Sequence, residues 1–228
     1  DIPVDEHLTI LRTRDPYELI SVLTGIGIWK FRRVITCSLS GGIHLDKEVY
    51  DRMFALLESE IQQYWKNKIT FIHMAPLWIK NIFLNLASIP SAADISTLQT
   101  DKPVLVAGAG PSLEESIETI KGIRDRIIII AVDTALPFFY QLTQGGEKAL
   151  FPDYLFVLES QVVNLNDFIS CKNPGIPLIC DITSHPSVLR LFTQNKYFFS
   201  SRFADIKLYD RMKRAGLLPT EFPPLGSV

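Results

Sequence analysis

The stretch VLVAGAGPSLEES, Val104 to Ser116, decides the fold. Val104-Leu105-Val106-Ala107 has the length and character of a buried strand. Gly108-Ala109-Gly110-Pro111 turns the chain, and Ser112 opens a helical stretch that runs to Lys121. Ser112 and Glu115 have the spacing of a capping box. Glycines at such a turn let the backbone approach a ligand, and N–H groups at a helix start attract phosphate. With no ligand, the same residues read as a tight strand-to-helix turn. The place of the turn, at the carboxyl end of the first strand of an open α/β sheet, favours the ligand. Gly108, Ala109, Gly110, Pro111 and Ser112 are therefore candidate nucleotide-binding residues.

Further apolar runs follow at Ile127–Val132, Tyr154–Leu158, Leu178–Ile182 and Tyr197–Ser200, starting 19 to 27 residues apart. Helical stretches fall between and after them, at 134–144, 187–194 and 204–215. Buried runs alternating with helices predict βαβ units: an α/β, Rossmann-like domain with a mostly parallel sheet and flanking helices. Residues 1–98 read differently, as a smaller N-terminal α/β domain, with 99–228 as the Rossmann-like domain. In the first part, steps of three and four from Val49 to Tyr64 predict a helix over 46–66 capped by Asp46. Short strands are expected at Val34–Leu39 and Ile69–His73, and a helix over Trp78–Ala87. Residues 88–102 read as a linker.

Composition narrows the function. The chain has 228 residues, 47% apolar and 21% charged, with a formal net charge of -2. These values exclude wholesale disorder and advertise no nucleic-acid or anionic-membrane surface. The longest aliphatic run falls far short of the ~20 residues of a membrane span. Cys37, Cys171 and Cys180 are odd in number and lack zinc-ligand spacing, which points to a reducing, cytoplasmic setting. The chain begins without Met and ends on Pro223-Pro224-Leu225-Gly226-Ser227-Val228, so it is expected to be cut from something longer. Gly226-Ser227 is an expected second phosphate-binding turn.

Three other positions carry candidate chemistry. Asp133 ends an apolar run and Thr134 follows it; Asp133 either caps the next helix or faces a ligand, and the two roles are compatible. Glu159 ends the third run. Two carboxylates at adjacent strand ends, Asp133 and Glu159, suit Mg²⁺ bridging a diphosphate, or serve as ordinary strand-end polar residues. His185, just past the fourth run, is placed to act as a general acid or base, or to bind phosphate; alternatively Ser184-His185-Pro186 is a helix-start turn with Ser184 as cap. The dinucleotide fingerprint is incomplete, because Leu113 replaces its third glycine, and there is no P-loop G-K-[ST]. Phe138-Phe139-Tyr140 and Tyr197-Phe198-Phe199 read as core, and Lys30-Phe31-Arg32-Arg33 as a solvated face.

GAGPSL after a strand, then IIAVDTAL (129–136) and FPDYLFVLES (151–160), resemble the domain shared by Maf-type flagellin glycosyltransferases and the archaeal 6-hydroxymethylpterin diphosphokinase, MptE. The segment Trp78 to Leu86, with Lys80-Asn81 and Asn85-Leu86, also resembles the stretch that precedes the glycine motif in Maf-like proteins. GAGPSL is similar to the G-N-G-P-S motif of CMP-sialic-acid-dependent sialyltransferases, with Ala109 at the Asn position. The resemblance implies Gly108, Gly110, Pro111 and Ser112 at nucleotide phosphates, with Asp133 and Thr134 facing the same crevice. It implies a transferase that moves a nonulosonic sugar from a CMP donor to Ser/Thr of flagellin. The alternatives are ATP-dependent diphosphorylation of a hydroxymethylpterin, and a non-catalytic nucleotide- or protein-binding domain. It further implies that the domain continues past Val228.

Overall fold

A computed structural model describes residues 9–37, 40–146, 148–171, 175–201 and 207–223. The chain divides into two compact units, one up to Met74 and one over Ala75–Ser227.

In the first unit, α1 spans Pro16–Ile26. Asp15 caps it by accepting from Tyr17 N, and Gly27 ends it at φ 106, a backbone state open to glycine. A 3₁₀ turn over Gly41–Asp46 leads into α2, Lys47–Leu86, whose 40 residues run past Met74 and through Pro76. Asp46 does not cap α2; it ends the 3₁₀ turn and accepts from Arg14 at 2.8 Å. The two expected helices are therefore one. The expected strand at Ile69–His73 is helix: the run continues α2, with Ile69, Ile72 and His73 exposed and Thr70 and Phe71 half-buried. Val34–Cys37 form no strand, and Ser38 and Leu39 lie outside the described residues. Among the described residues this first unit is helical, which corrects the expected α/β character of the N-terminal part. Nor is Lys30–Arg33 simply a solvated face: the Arg32 guanidinium lies 3.6 Å over the Trp65 ring, whose Nε1 donates to Phe31 O.

The second unit holds the sheet. Its elements in chain order are β1 Ala93–Asp94, β2 Val104–Ala107, α3 Pro111–Ile123, β3 Ile128–Val132, α4 Leu136–Gln144, β4 Tyr154–Val157, β5 Leu178–Asp181, α5 Pro186–Leu191, β6 Lys196–Ser201, α6 Lys207–Arg214 and β7 Glu221–Phe222. The strand order is β1-β6-β5-β4-β3-β2, with β7 also on β6, and every pairing is parallel. The expected α/β, Rossmann-like sheet is present, and β2 to β6 begin within one residue of the five apolar runs. The expected linker contains β1, which pairs with Tyr197 and Phe198.

Successive strands are neighbours, so right-handed crossovers carry α3, α4 and α5 to one face of the sheet. There Ala107, Ile129, Ala131, Leu155, Val157, Leu178 and Cys180 pack against Leu113, Ile117, Leu136, Phe139 and Val188, all buried. Phe139 and Phe198 are fully buried core, as their sequence context suggests. The opposite face carries Tyr154 edge-on to Tyr197 and Phe156 stacked on Phe199. At its β2 end it opens to solvent, with Val106 67% exposed.

Candidate functional site

The carboxyl edge of the sheet lines up the ends of β2, β3, β4 and β5. Adjacent strands stand ~4.8 Å apart, so the β2 turn and the β5 end are separated by about 14 Å. Among the described residues this edge carries Gly108–Ser112 after β2, Asp133 and Thr134 after β3, Glu159 after β4 and His185 after β5.

Gly108, Ala109, Gly110, Pro111 and Ser112 are all exposed. Pro111 takes the first helical position of α3, with Gly110 as the N-cap in extended backbone, φ -162 and ψ 161. The capping box expected from Ser112 and Glu115 is absent, because the N-cap is Gly110, two residues earlier; Ser112 sits inside the first turn, where its carbonyl accepts from Ser116 Oγ. Neither Gly108 nor Gly110 has positive φ. What these glycines provide is space: a Cβ at Gly108 would meet nothing within 4 Å, and one at Gly110 only Ser112 Oγ at 3.9 Å.

Asp133 opens a 3₁₀ turn, Asp133–Ala135, and does not cap α4, whose N-cap is Ala135. Its Oδ1 accepts from Thr134 N at 2.8 Å and its Oδ2 from Asn164 Nδ2 at 2.7 Å. Burial pushes its carboxyl above the usual range, against those two hydrogen bonds, and the nearby Asp167 and Glu159 charges push the same way. Asp133 and Glu159 are thus within electrostatic reach of each other. Glu159 Oε1 accepts from Gln161 N at 2.7 Å. Among the described residues no three His, Cys, Asp or Glu side chains gather as a ready-made metal cage. A divalent ion between Asp133 and Glu159 would take most of its oxygens from ligand and water, as Mg²⁺ usually does.

His185 is the N-cap of α5, where Nδ1 accepts from Ser187 N at 3.2 Å, and Pro186 takes the first helical position. Ser184 is not the cap; its hydroxyl is buried and donates to Val157 O. Burial, then the charges of Arg190 and Lys80, push the His185 imidazole below its usual value. An Nδ1 that accepts leaves the proton of the neutral ring on Nε2. In this geometry the neutral His185 ring offers an Nε2–H donor, while its Nδ1 is engaged by Ser187 N.

The loops at this edge are held by residues the sequence reading did not assign. Asn81 and Asn85, both 1% exposed, sit four residues apart on α2. Asn81 Nδ2 donates to Ser160 O and Thr183 O, each at 2.9 Å. Asn85 Nδ2 donates to Ile182 O and Ser184 O, each at 2.8 Å. Trp78 Nε1 adds a bond to Ser160 Oγ at 3.1 Å. Asp181, fully buried, accepts from Thr183 N, Thr183 Oγ1, Ser201 N and Ser201 Oγ, and burial still drives its carboxyl above the usual range. One sequence signal for the asparagines existed: amides at i and i+4 on an otherwise apolar helix face call for buried partners. The expected Gly226-Ser227 turn lies outside the described residues. No helix among the described residues is long and apolar enough to cross a membrane.

Comparison with known proteins gives relatives of the second unit and of the whole chain. An uncharacterized protein of Treponema pallidum (strain Nichols) is 26% identical over 227 residues, 98% of this chain and 38% of its own length. A second uncharacterized protein of the same organism is 39% identical over 97 residues, 41% of this chain and 42% of its own. The chain thus spans about two fifths of the length of these curated relatives. The solved structure of a MAf glycosyltransferase from Magnetospirillum magneticum AMB-1 overlaps 53% of this chain and 20% of its own, at 25% identity and a TM-score of 0.39. The family profile described as 6-hydroxymethylpterin diphosphokinase MptE-like matches residues 80–217, from the Lys80-Asn81 end of α2 to the turn after α6. This span includes the glycine turn, Asp133, Glu159 and His185, and the chain belongs to the MptE-like family.

Proposed function

We propose that this chain carries the nucleotide site of a transferase, at the carboxyl edge of β2 and β3. The observation that carries the reading is the exposed, side-chain-poor turn Gly108–Ser112, set between a parallel strand and the start of a 13-residue helix, with a doubly hydrogen-bonded carboxylate one strand away. Pro111 has no N–H and Leu113 N–H donates to Gly110 O at 3.0 Å, so in the first turn of α3 it is Ser112 N–H, together with the backbone of the Gly108–Gly110 turn, that would cradle the phosphates, with the helix dipole in support. Asp133, fixed by Thr134 and Asn164, keeps one lone pair on each oxygen for ribose hydroxyls. His185 Nε2–H is a donor for an anionic group farther along the edge.

On this reading the chain binds a CMP-linked nonulosonic sugar and passes it to a hydroxyl, with flagellin Ser/Thr as the acceptor that Maf-like proteins suggest. A second reading is diphosphate transfer from ATP to a hydroxymethylpterin. The family match and the electrostatic reach between Asp133 and Glu159 favour it. In that reaction Mg²⁺ would neutralise developing phosphate charge, with Asp133 and Glu159 as its protein ligands. Calorimetry with CMP and with ATP, each with and without Mg²⁺, separates the readings. CMP binding without a metal requirement supports sugar transfer, and Mg²⁺-dependent ATP binding supports diphosphate transfer. Binding of neither would overturn the nucleotide reading and leave a protein-binding domain.

A further inference from the structure

We infer that Lys80, His185 and Arg190 form a second anion subsite at the carboxyl end of β5, which receives an oxyanion group, carboxylate or phosphate, of the acceptor substrate. The inference rests on the nucleotide reading above only for the identity of the donor; the cluster of cations around an N–H donor stands on its own. Two helices and a loop bring it together. His185 is the N-cap of α5, and its Nδ1 is taken by Ser187 N at 3.2 Å, which leaves an Nε2–H for a ligand. Arg190, on the same helix, is exposed and reaches back to donate from Nη2 to Ser187 Oγ at 2.8 Å, so its guanidinium lies along the turn that His185 opens. Lys80 is exposed on α2, beside Asn81, whose amide holds Ser160 O and Thr183 O, each at 2.9 Å. That clamp, and the bond from His185 N to Glu159 O at 3.0 Å, fix the loop on which the imidazole stands.

The charge of the cluster points to its ligand. After burial, the charges that act on the His185 ring are those of Arg190 and Lys80, and no carboxylate among the described residues acts on it. Among the described residues neither Lys80 nor Arg190 is in an ion pair. Two cations beside an N–H donor, with no counter-charge, repel one another until an anion arrives. Arg190 spends one N–H on Ser187 and keeps the rest of its guanidinium fork for an oxyanion. The subsite is built from side chains alone, since the N–H groups of Ser187, Val188 and Leu189 are spent on His185. Its place along the edge decides which substrate it meets. The β2 turn and the β5 end lie about 14 Å apart, three strand spacings. The carboxylate of a nonulosonic sugar sits on the carbon that carries its phosphate linkage, and the phosphates of ATP are contiguous. A donor held at Gly108–Ser112 therefore keeps its own anionic groups near β2 and β3, and the anion at β5 belongs to the other substrate.

The test uses the full chain at about pH 8, where an ordinary imidazole is neutral. Inorganic phosphate, and separately acetate, is titrated into isotope-labelled protein and followed by NMR. The backbone amides of Gly110 and Ser112 report the glycine turn, and those of Ser187 and Arg190 report the subsite. Phosphate should give two sets of shifts with separate midpoints. Lys80→Gln and Arg190→Gln should each weaken the Ser187 and Arg190 midpoint about two- to fivefold, the scale of one exposed ion pair, and the double variant about tenfold. Neither should move the Gly110 and Ser112 midpoint. Lys66→Gln, elsewhere on α2, makes the same change in net charge and should leave both midpoints in place. Gly110→Val should abolish the Ser112 shifts and keep those at Ser187 and Arg190. Acetate that reproduces the shifts at Ser187 and Arg190 assigns a carboxylate to the subsite; phosphate acting alone assigns a phosphate. Absent shifts at Ser187 and Arg190, or shifts that Lys66→Gln weakens as much as Lys80→Gln does, would overturn the subsite. Absent shifts at Gly110 and Ser112 would instead overturn the phosphate cradle, and the Ser187 and Arg190 midpoints would still decide the subsite.

Discussion

Asn85→Ala tests how the carboxyl-edge loops are held. The wild-type amide gives two hydrogen bonds of 2.8 Å to the carbonyls of Ile182 and Ser184, and it is 1% exposed. Alanine removes both donors and brings no water. Leaving a buried acceptor unpaired costs ~1–3 kcal/mol, so two carbonyls place the loss at about 2–6 kcal/mol. Alanine is the better helix former by ~0.6 kcal/mol, which trims the expected loss to about 1.5–5.5 kcal/mol. For a unit of this size that lowers the melting temperature by about 3–22 °C. Thermal and urea unfolding followed by circular dichroism measure it. Asn85→Asp should cost more, because a carboxylate would face two carbonyl oxygens. Loss of less than about 0.5 kcal/mol in Asn85→Ala would refute the reasoning and mean that the carbonyls find other partners.

Gly110→Val should melt like the wild type, because its Cβ meets only Ser112 Oγ at 3.9 Å in already extended backbone, yet lose nucleotide affinity by calorimetry; unchanged affinity would remove the phosphate cradle. His185 protonates less readily folded than unfolded, so the unfolded chain binds more protons just below its ordinary value; stability should fall as pH drops below ~6.5, and the drop should shrink in His185→Asn, which keeps a cap without titrating. Asp94 behaves in the opposite sense. Its burial raises the carboxyl, but donors from Thr220 and Ser96 outweigh that and lower it, so its contribution is whole above ~3.9 and is lost as pH falls through its lower folded value. Asp94→Asn should therefore flatten the acid end of a urea-midpoint-versus-pH curve.

Strands β2 to β6 were legible because parallel strands read as short apolar runs, and Val104, Ile128, Tyr154, Leu178 and Lys196 begin within a residue of such runs. β1 and β7 were not, since two-residue strands need no pattern of their own: they lie end to end along β6, and Thr220 N and Oγ1 bond Asp94 between them. The single helix α2 was read as two because Pro76 and the run Ile69–His73 are poor helix formers, and the helix nevertheless continues through both. The strand-end positions of Asp133, Glu159 and His185 followed from the runs. Their actual contacts did not: Asn164, the partner of Asp133, sits in a 3₁₀ stretch without periodic signal, and Ser187 donates to His185 because α5 starts at Pro186 and makes His185 its N-cap. Asn81 and Asn85 bond carbonyls some 80 to 100 residues away, a distance at which local spacing says nothing.

The strand order also bears on how this unit is built in time. From β2 to β6 each strand pairs with the next one along the chain, so every step closes a loop of only some twenty-five residues. Loop closure of that kind is entropically cheap, and contacts of short sequence separation go with fast folding. β1 is the exception, because Ala93 meets Tyr197 across roughly a hundred residues, and it has nothing to pair with until β6 is in place. Sequential zipping from β2 to β6 followed by late docking of β1 is the order this connectivity prescribes. A chain emerging from the ribosome would then hold its first strand in waiting until nearly the whole sheet had been synthesised.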